Sequence, residues 1–592
     1  MQGRRRRIRL SAYAVAAALL LFVVALGYTA FQTHRHLRDA QTAVGLLRSG
    51  LMRQETPAAE IEQHLATVQR EADAAQSLTN GPLWGVPAAL PWLGRPFETV
   101  RGASAAVSGV AHDVLPPVRA ARDGLVGVDL TQPKGGIDLR PVAAAEKPLG
   151  QASRSSDAVL ADVRALPVSG VGPVDQARAD LLGQLQDLSG QLRSTHEAVS
   201  LLPPMLGADG PRRYMVAFQN NAEARGSGGL PGVYAVVRAD RGRVSFEHYG
   251  VSGDFGGMDV SLKGLSPGFA SHYRGAAPGR YFGNTTVSPH FPDSATLLLR
   301  FWKAKTGEQL DGAMAIDPTA LSAMLAVTGP TSLADGTRVG ASNVVALTER
   351  DAYQQFADPV ERKLYLIEVA KAVADDILER GPQKGTQLAS ALGKAVEQRR
   401  LLVYSTHETE QRVLASRRIG GILSDTDGLF SGVVINNGGG NKLDYYLERE
   451  VTYEAAPCSS PTPSQATVTI TLTNRAPKAG LTDYVAGRAD QPVVPVSKGT
   501  NLLLVGYFAT KGAGFSGATL DGKTELLAID SERGRPVFTS ALEIGPGQTR
   551  VLRLTVDEPP QAKGPVTTLV QPLVLPQKTV VKAPACAAAD SR

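Results

Sequence analysis

At residue 212 the hydrophobic pattern of this 592-residue chain changes period. Before that point apolar residues recur at helical spacing. Val44, Leu47 and Leu51 form one such series, and Ile61, Leu65 and Val68 another. Leu181, Leu185, Leu188, Leu192 and Val199 form a third, longer stripe. After residue 212 short runs rich in β-branched and aromatic residues take over, at first mixed with helical stretches and then alone. A chain of this length exceeds one ordinary core, so about two to four domains are required.

The N-terminal half reads as helix over residues 33–77, broken by Gly81-Pro82, and again over residues 175–201. The leucine stripe of the second helix is too short for a convincing coiled coil. It favours a bundle packed on itself and leaves dimerisation through this stalk as the alternative. Residues 214–218, 233–237 and 244–248 read as strands, with the turn 239–242 joining the last two. Helix is expected over 294–303, 318–326, 343–350, 361–380 and 386–396, and strand over 313–316. Strands mixed with helices indicate an α/β domain. From residue 445 the chain reads as all-β, with strands at 445–453, 466–474, 501–509, 550–556 and 569–575 forming a sandwich.

Residues 10–31 carry no charge and follow Arg4, Arg5, Arg6, Arg7 and Arg9. That pattern predicts a single uncleaved transmembrane helix with a cytoplasmic N-terminus and everything later outside the cytoplasm. Trp84, Trp92 and Phe97 then fit either a bilayer surface or the stalk. The two cysteines, Cys458 and Cys586, are expected to pair as one disulfide in that compartment. The net charge of +6 comes largely from the arginine cluster, so no nucleic-acid footprint is implied. The expected organisation is a basic tail at 1–9, a span at 10–31, a helical stalk or bundle at 32–208, an α/β domain at 209–440 and a β-sandwich at 441–592.

The stretch 212–229 is the strongest candidate for a site. An apolar strand ends in two amides, an acid, an arginine and three glycines. Ligand sites of α/β folds lie at such strand ends. Asn220, Asn221 and Arg225 supply donors suited to an oxyanion. The competing reading is a tight turn whose side chains cap their own backbone. The run Phe-Gln-Asn-Asn-Ala-Glu-Ala-Arg-Gly-Ser-Gly-Gly at 218–229 resembles the signature of the bacterial domain-of-unknown-function 4012 family. The resemblance covers about residues 212–485, and it implies a membrane-anchored envelope protein of unestablished activity.

Other motifs exclude more than they include. Residues 517–524 satisfy the phosphate-loop expression but lie in the all-β region, where Asp521-Gly522 reads as a hairpin turn. Zinc spacing, a metalloprotease helix and a serine nucleophile elbow are all absent from the sequence. Asp425-Thr426-Asp427-Gly428 is too short for a calcium loop and reads as a turn.

The order of elements over about 214–377 also resembles the LytR-CpsA-Psr phosphotransferases, which attach lipid-linked glycopolymers to the cell wall. On that resemblance Asn220, Asn221 and Arg225 occupy the first strand-end turn, and Asp254 stands in place of a Pro-Arg-Asp loop. Arg350, Arg362 and Lys363 look like the paired basic segments. Those enzymes use aspartates for magnesium, and this chain has asparagines there, so binding of a phosphate- or pyrophosphate-linked glycan or its polyprenyl carrier is implied better than transfer. Magnesium remains possible on this reading, and whether the chain is an enzyme stays open. The alternative is a non-enzymatic envelope scaffold or surface-assembly protein in which the glycine turn is structural. Convergence of the basic residues with Asp254 on one groove would favour the first, and scatter the second.

Overall fold

The computed structural model describes residues 2–52, 56–91, 94–125, 132, 136–456, 465–562 and 564–582. The side chains of residues 2–16, 18, 19, 48, 51, 52 and 382 are outside that description. The chain forms two compact units, residues 1–132 with 137–210, and residues 133–136 with 211–592.

The described part of the first unit is helical: α1 Gln2–Met52, α2 Ala58–Asn80, α3 Pro82–Ala88, α4 Arg95–Gly109, α5 Leu115–Asp123, α6 Leu139–Ala165 and α7 Gly172–Met205. The stretch 33–77 is two helices. Pro57 caps α2 in an extended conformation, ψ 141°, and ends any continuous helical path. Ile61, Leu65 and Val68 of α2 then bury against Ala43 and Leu47 of α1. Leu185 of α7 packs with Ala106 of α4 and with Val159 and Val163 of α6, and Leu192 packs with Ala152. The leucine stripe is thus filled from within the chain, as a bundle requires.

Among the described residues no helix is long and apolar enough to cross a membrane. The span expected at 10–31, and with it the single-pass placement, is therefore corrected. Residues 10–31 lie within α1, and their side chains are described only at 17 and from 20 onward. That described run soon meets Thr29, Gln32, Thr33 and His34, short of the about 20 apolar residues a bilayer core requires. Cys458 and Cys586 fall outside the described residues, and no disulfide is present among the described ones.

The second unit opens with an antiparallel meander, β1 Arg212–Arg225, β2 Gly228–Asp240 and β3 Arg243–Val251. Arg241 and Gly242, both at positive φ, make the tight β2–β3 turn. After α8 Phe269–His272 and α9 Phe291–Thr306, β4 Gly312–Ile316 pairs parallel to β1. α10 Pro318–Thr328 follows, then a hairpin of β5 Thr331–Ser332 and β6 Arg338–Val339. α11 Val344–Ala346, a π-helical turn Leu347–Asp351, α12 Ala352–Gln355, α13 Pro359–Arg380 and α14 Gly385–Glu397 lead to β7 Leu401–Ser405 and α15 Glu408–Ala415. The sheet order is β3-β2-β1-β4-β7. Alternation along β1 feeds both faces. Met215 and Ala217 pack with Phe291, Leu298 and Phe301 of α9. Val216 and Phe218 pack with Leu321 of α10 and Val369 and Val373 of α13.

Two further sheets enclose one core. One is β14-β15-β11-β8-β17 and the other β13-β12-β16-β10-β9-β18. Their strands are β8 Phe430–Asn437, β9 Leu447–Ala455, β10 Gln465–Asn474, β11 Asn501–Phe508, β12 Gly514–Leu520, β13 Lys523–Thr524, β14 Ala528–Glu532, β15 Arg535–Ile544, β16 Thr549–Asp557, β17 Thr567–Val570 and β18 Gln577–Lys582. A short helix, α16 Asp483–Ala486, lies between β10 and β11. Ile435, Leu503 and Val505 of one sheet meet Val468, Ile470 and Leu554 of the other. Asp521 and Gly522, with φ of 50° and 81°, form a two-residue turn between β12 and β13, which disposes of the phosphate-loop match.

Candidate functional site

β1 runs past the edge of its own domain. Its pairing with β2 shifts register twice, between Phe218 and Gln219 and between Asn220 and Ala224. The first shift sits where the apolar run gives way to amides. Beyond it the strand enters the sandwich, and Ala224 is fully buried in the sandwich core. Three glycines make this possible by having no side chain. A Cβ on Gly226 would lie 2.1 Å from the Val287 carbonyl oxygen, and one on Gly229 would lie 2.2 Å from that of Asn220.

Many polar groups of the run are bonded by the sandwich. The Ala224 amide donates to Asp444 Oδ2 at 2.8 Å, and Asn221 Nδ2 donates to the Pro572 carbonyl at 3.1 Å. The Gly226 amide donates to Asn436 Oδ1 at 3.1 Å, and Gln571 Nε2 donates to the Arg225 carbonyl at 2.6 Å. Glu223 pairs with Lys442 at 2.5 Å. Asp444 also accepts from Asn437 and Asn501, and its burial raises its carboxyl above the usual range.

Arg225 is almost wholly buried. Its Nε donates to Asn284 Oδ1 at 3.0 Å, and one terminal nitrogen donates to the carbonyls of Ala224 at 2.8 Å and Asn437 at 3.3 Å. Burial lowers its pKa against the opposing charges of Glu223 and Asp444, and its hydrogen bonds among the described residues go to neutral oxygens. Neutral oxygens hold this cation, so it fixes backbone rather than presenting a fork to a ligand.

The carboxyl ends of the parallel strands β1 and β4 border a narrow cavity of about 50 Å³. Phe218, Asn220, Pro318, Leu321, Glu349 and Val369 line it. Glu349 is 1% exposed. Its Oε1 accepts the Asn221 amide at 3.0 Å, and its Oε2 is buried with no hydrogen-bond partner. Burial pushes this carboxyl up to about 8, with Asp317 adding to the rise. It is therefore a neutral acid near pH 7, able to donate one hydrogen bond. Asn220 donates to the Tyr353 hydroxyl at 2.8 Å. Beside it the fully buried Asp317 caps α10 through the Ala320 amide and pairs with Arg400 at 2.5 Å. Arg400 in turn donates to the Leu573 carbonyl at 2.8 Å.

Of the remaining predicted residues, Arg362 reaches the cavity wall, its guanidinium lying 5.5 Å from the centre of the Tyr353 ring, and the others have different neighbours. Asp254 accepts from the Val251 amide at 3.0 Å and the Tyr234 hydroxyl at 3.1 Å, with Lys305 at 3.7 Å. Lys363 is exposed, and its Nζ lies 3.3 Å from where a Cβ on Gly253 would stand, which puts it near the Asp254 loop. Arg350 is tied to Asp351 at 2.6 Å and faces the Tyr445 ring. Arg362 is buried, donates to the Phe356 carbonyl and stacks 3.9 Å over the Tyr484 ring. Asn220 and Asn221 thus meet Glu349, and the four cations do not converge. Among the described residues no group of three or more His, Cys, Asp or Glu could hold a metal, so magnesium gains no ligand set.

Glu349, Asp317, Arg400 and Asp444 were missed from sequence. Asp317 followed by Pro318 is a helix-start signal that could have marked one of them. The others are ordinary charged residues whose partners lie far along the chain.

In class, the second unit is a mixed α/β sheet locked to a β-sandwich through the end of its first strand. Within it, residues 209–353 match the family described as Protein of unknown function (DUF4012). The family likeness read from residues 218–229 is shown over that segment, and the likeness to LytR-CpsA-Psr enzymes is not shown. No curated protein and no solved structure matches the chain.

Proposed function

We propose that this protein is a non-enzymatic scaffold in which the glycine-rich run of the DUF4012 segment is a structural joint. The observation that carries this reading is Arg225: the residue best suited to grip a pyrophosphate is buried and spent on two carbonyls and an amide oxygen. The existing partners of Arg350 and Arg362 support it further. Binding of a phosphate-linked glycan or polyprenyl carrier is the weaker reading, because Arg225 and Arg362 are buried and Arg350 is paired with Asp351.

The test is titration of polyprenyl pyrophosphate onto the full chain and its Arg225→Ala and Arg225→Lys variants, with thermal unfolding measured on each. The scaffold reading expects no saturable binding to wild type and a lower melting temperature for Arg225→Ala. Saturable binding by wild type that a folded Arg225→Ala loses, and Arg225→Lys partly recovers, would return the pyrophosphate reading.

The Glu349 cavity supports a second reading, a small uncharged ligand with an apolar body and one hydrogen-bond acceptor. The unpartnered Glu349 Oε2 favours it. A Glu349-dependent thermal shift with short-chain ketones or esters would support it, and equal shifts in Glu349→Gln would remove it.

A further inference from the structure

Among the described residues β3 is the terminal strand of the α/β sheet, with β2 on one side and no strand of that sheet on the other, and Gly136 approaches it at Arg243. An open strand edge offers unpaired amides and carbonyls, and proteins ordinarily blunt or cover it. Here α13 passes beside the edge without closing on it. A groove of about 540 Å³ remains between residues 244–249 of the strand and Lys371, Asp375 and Leu378 of the helix. Those three helix positions are spaced four and three apart, so they form one face.

The groove is built for a chain rather than a small molecule. On the α13 side of the sheet Phe246 and Tyr249 stack, with ring centroids 5.3 Å apart and planes 17° from parallel. They sit on one face together because the β2–β3 register shifts between Val236 and Val237, leaving Glu247 as the extra residue. The Tyr249 hydroxyl is buried with no hydrogen-bond partner. Burial and the nearby Asp375 carboxylate keep that phenol protonated. Lys371 and Asp375 are exposed, and neither makes an ion pair among the described residues. Glu247, by contrast, is already paired with Arg213 at 2.8 Å.

We infer that this groove binds an extended peptide segment of a partner protein, which adds to β3 as a further strand and carries one acidic and one basic side chain two residues apart. The spacing follows from geometry. Lys371 and Asp375 are separated by one helical step of four residues, about 6 Å along the axis. Alternate residues of a strand, which point to the same side, are separated by about 6.6 Å. A Glu-x-Lys pair in the added strand therefore matches the Lys371 and Asp375 pair. The residue between faces away, and the neighbouring apolar side chains rest on Phe246 and Tyr249. Main-chain hydrogen bonds to β3 supply affinity and the alternate side chains supply selection. This deepens the scaffold reading by naming a surface and a partner class. Its test uses peptide instead of pyrophosphate, so either reading fails separately.

The experiment is fluorescence anisotropy of the full chain with a labelled octapeptide rich in Val and Thr and carrying Glu-x-Lys at its centre. Saturable binding is expected. A peptide with the two charges exchanged should bind several-fold more weakly, and the Lys371→Glu, Asp375→Lys double variant should reverse that preference. Exposed pairs are worth up to about 1 kcal/mol each, so the exchange should read as roughly three- to thirty-fold. Methylating alternate backbone nitrogens of the peptide should abolish binding in one frame and spare it in the other, as strand pairing requires. No saturable binding, no reversal by the double charge exchange, or equal effects of methylation in both frames would each overturn the proposal. Self-association through β3 that the peptide fails to displace would also overturn it.

Discussion

Glu349 receives the main-chain amide of Asn221 on one carboxyl oxygen at 3.0 Å and leaves the other without a partner. One buried acid therefore supports the start of the glycine-rich run while facing a cavity it does not fill. Its burial makes it, with Glu532, one of the acids in this unit that titrate near neutral pH.

Glu349 ionises near 4.5 when unfolded and near 8 in the native protein. Between those values the native state holds a proton the unfolded state has released. The contribution of Glu349 to stability should therefore fall as pH rises from about 4.5 to about 8 and stay level outside that window, with the buried Glu532, raised to about 7, adding a slope that Glu349→Gln leaves in place. Glu349→Gln should flatten the Glu349 part of the slope and gain a few kcal/mol relative to wild type between pH 5 and pH 8.5, since each pKa unit is worth about 1.4 kcal/mol. Urea midpoints across that range check it. Parallel curves for the two proteins would refute the assignment.

Asp444→Ala strands two buried donors at once, the Ala224 amide and the side-chain amide of Asn501, and takes one acceptor from Asn437, which keeps Asn441. A loss of about 3–5 kcal/mol is expected, because each orphaned buried group costs about 1–3 kcal/mol. Protease sensitivity should rise in the α/β strands and the sandwich strands together. Confinement of the new cuts to the sandwich would show that the joint does not couple them.

The Asp317–Arg400 pair is buried on both sides. Asp317→Ala alone should cost about 3–5 kcal/mol by leaving the guanidinium uncompensated. Combining it with Arg400→Leu should recover much of that loss, a coupling read from a double-mutant cycle. Additive losses would argue that the two groups act separately.

Two glycines should respond differently to alanine. At Gly229 the new carbon would sit 2.2 Å from the Asn220 carbonyl oxygen, so the strand must move, at a cost near the upper end of about 1–3 kcal/mol. Gly522 has open space around it and φ of 81°, so only the backbone conformation is strained, at about 1–2 kcal/mol. Thermal melts of Gly229→Ala and Gly522→Ala decide it, and a larger loss at Gly522 would contradict the packing described for β1.

The elements were largely legible where local pattern decides them. Helical spacing located α2 and α7, and β-branched runs located β1 to β3, β9 to β11 and β16. Pro57 shows the limit: a single ring divided what periodicity alone made one helix. β7 and β8 escaped because each is central or covered on both faces, so neither alternates in polarity. Asn220 and Asn221 were singled out as donors for an oxyanion, and the structure gives them partners within the chain, as amides at the end of a buried strand need. Those partners, Glu349 and Pro572, lie 128 and 351 residues further on, and nothing local encodes such distances. The residues 10–31 misled because composition alone suggested a span.

The end of β1 inside the sandwich core bears on how this architecture can be inherited. The family segment stops at Tyr353, yet only part of its signature run is satisfied within it, by Glu349, Tyr353 and Asn284, while Asp444, Asn436, Asn437, Gln571 and Pro572 come later in the chain. Severed from the sandwich, residues 209–353 would leave the Ala224 and Gly226 amides, the Asn221 side chain and the Glu223 carboxylate without the partners that hold them. The segment is consequently not a portable module. Recombination that shuffles domains would have to move it together with its sandwich, and a lineage that keeps the glycine-rich run is expected to keep the sandwich as well.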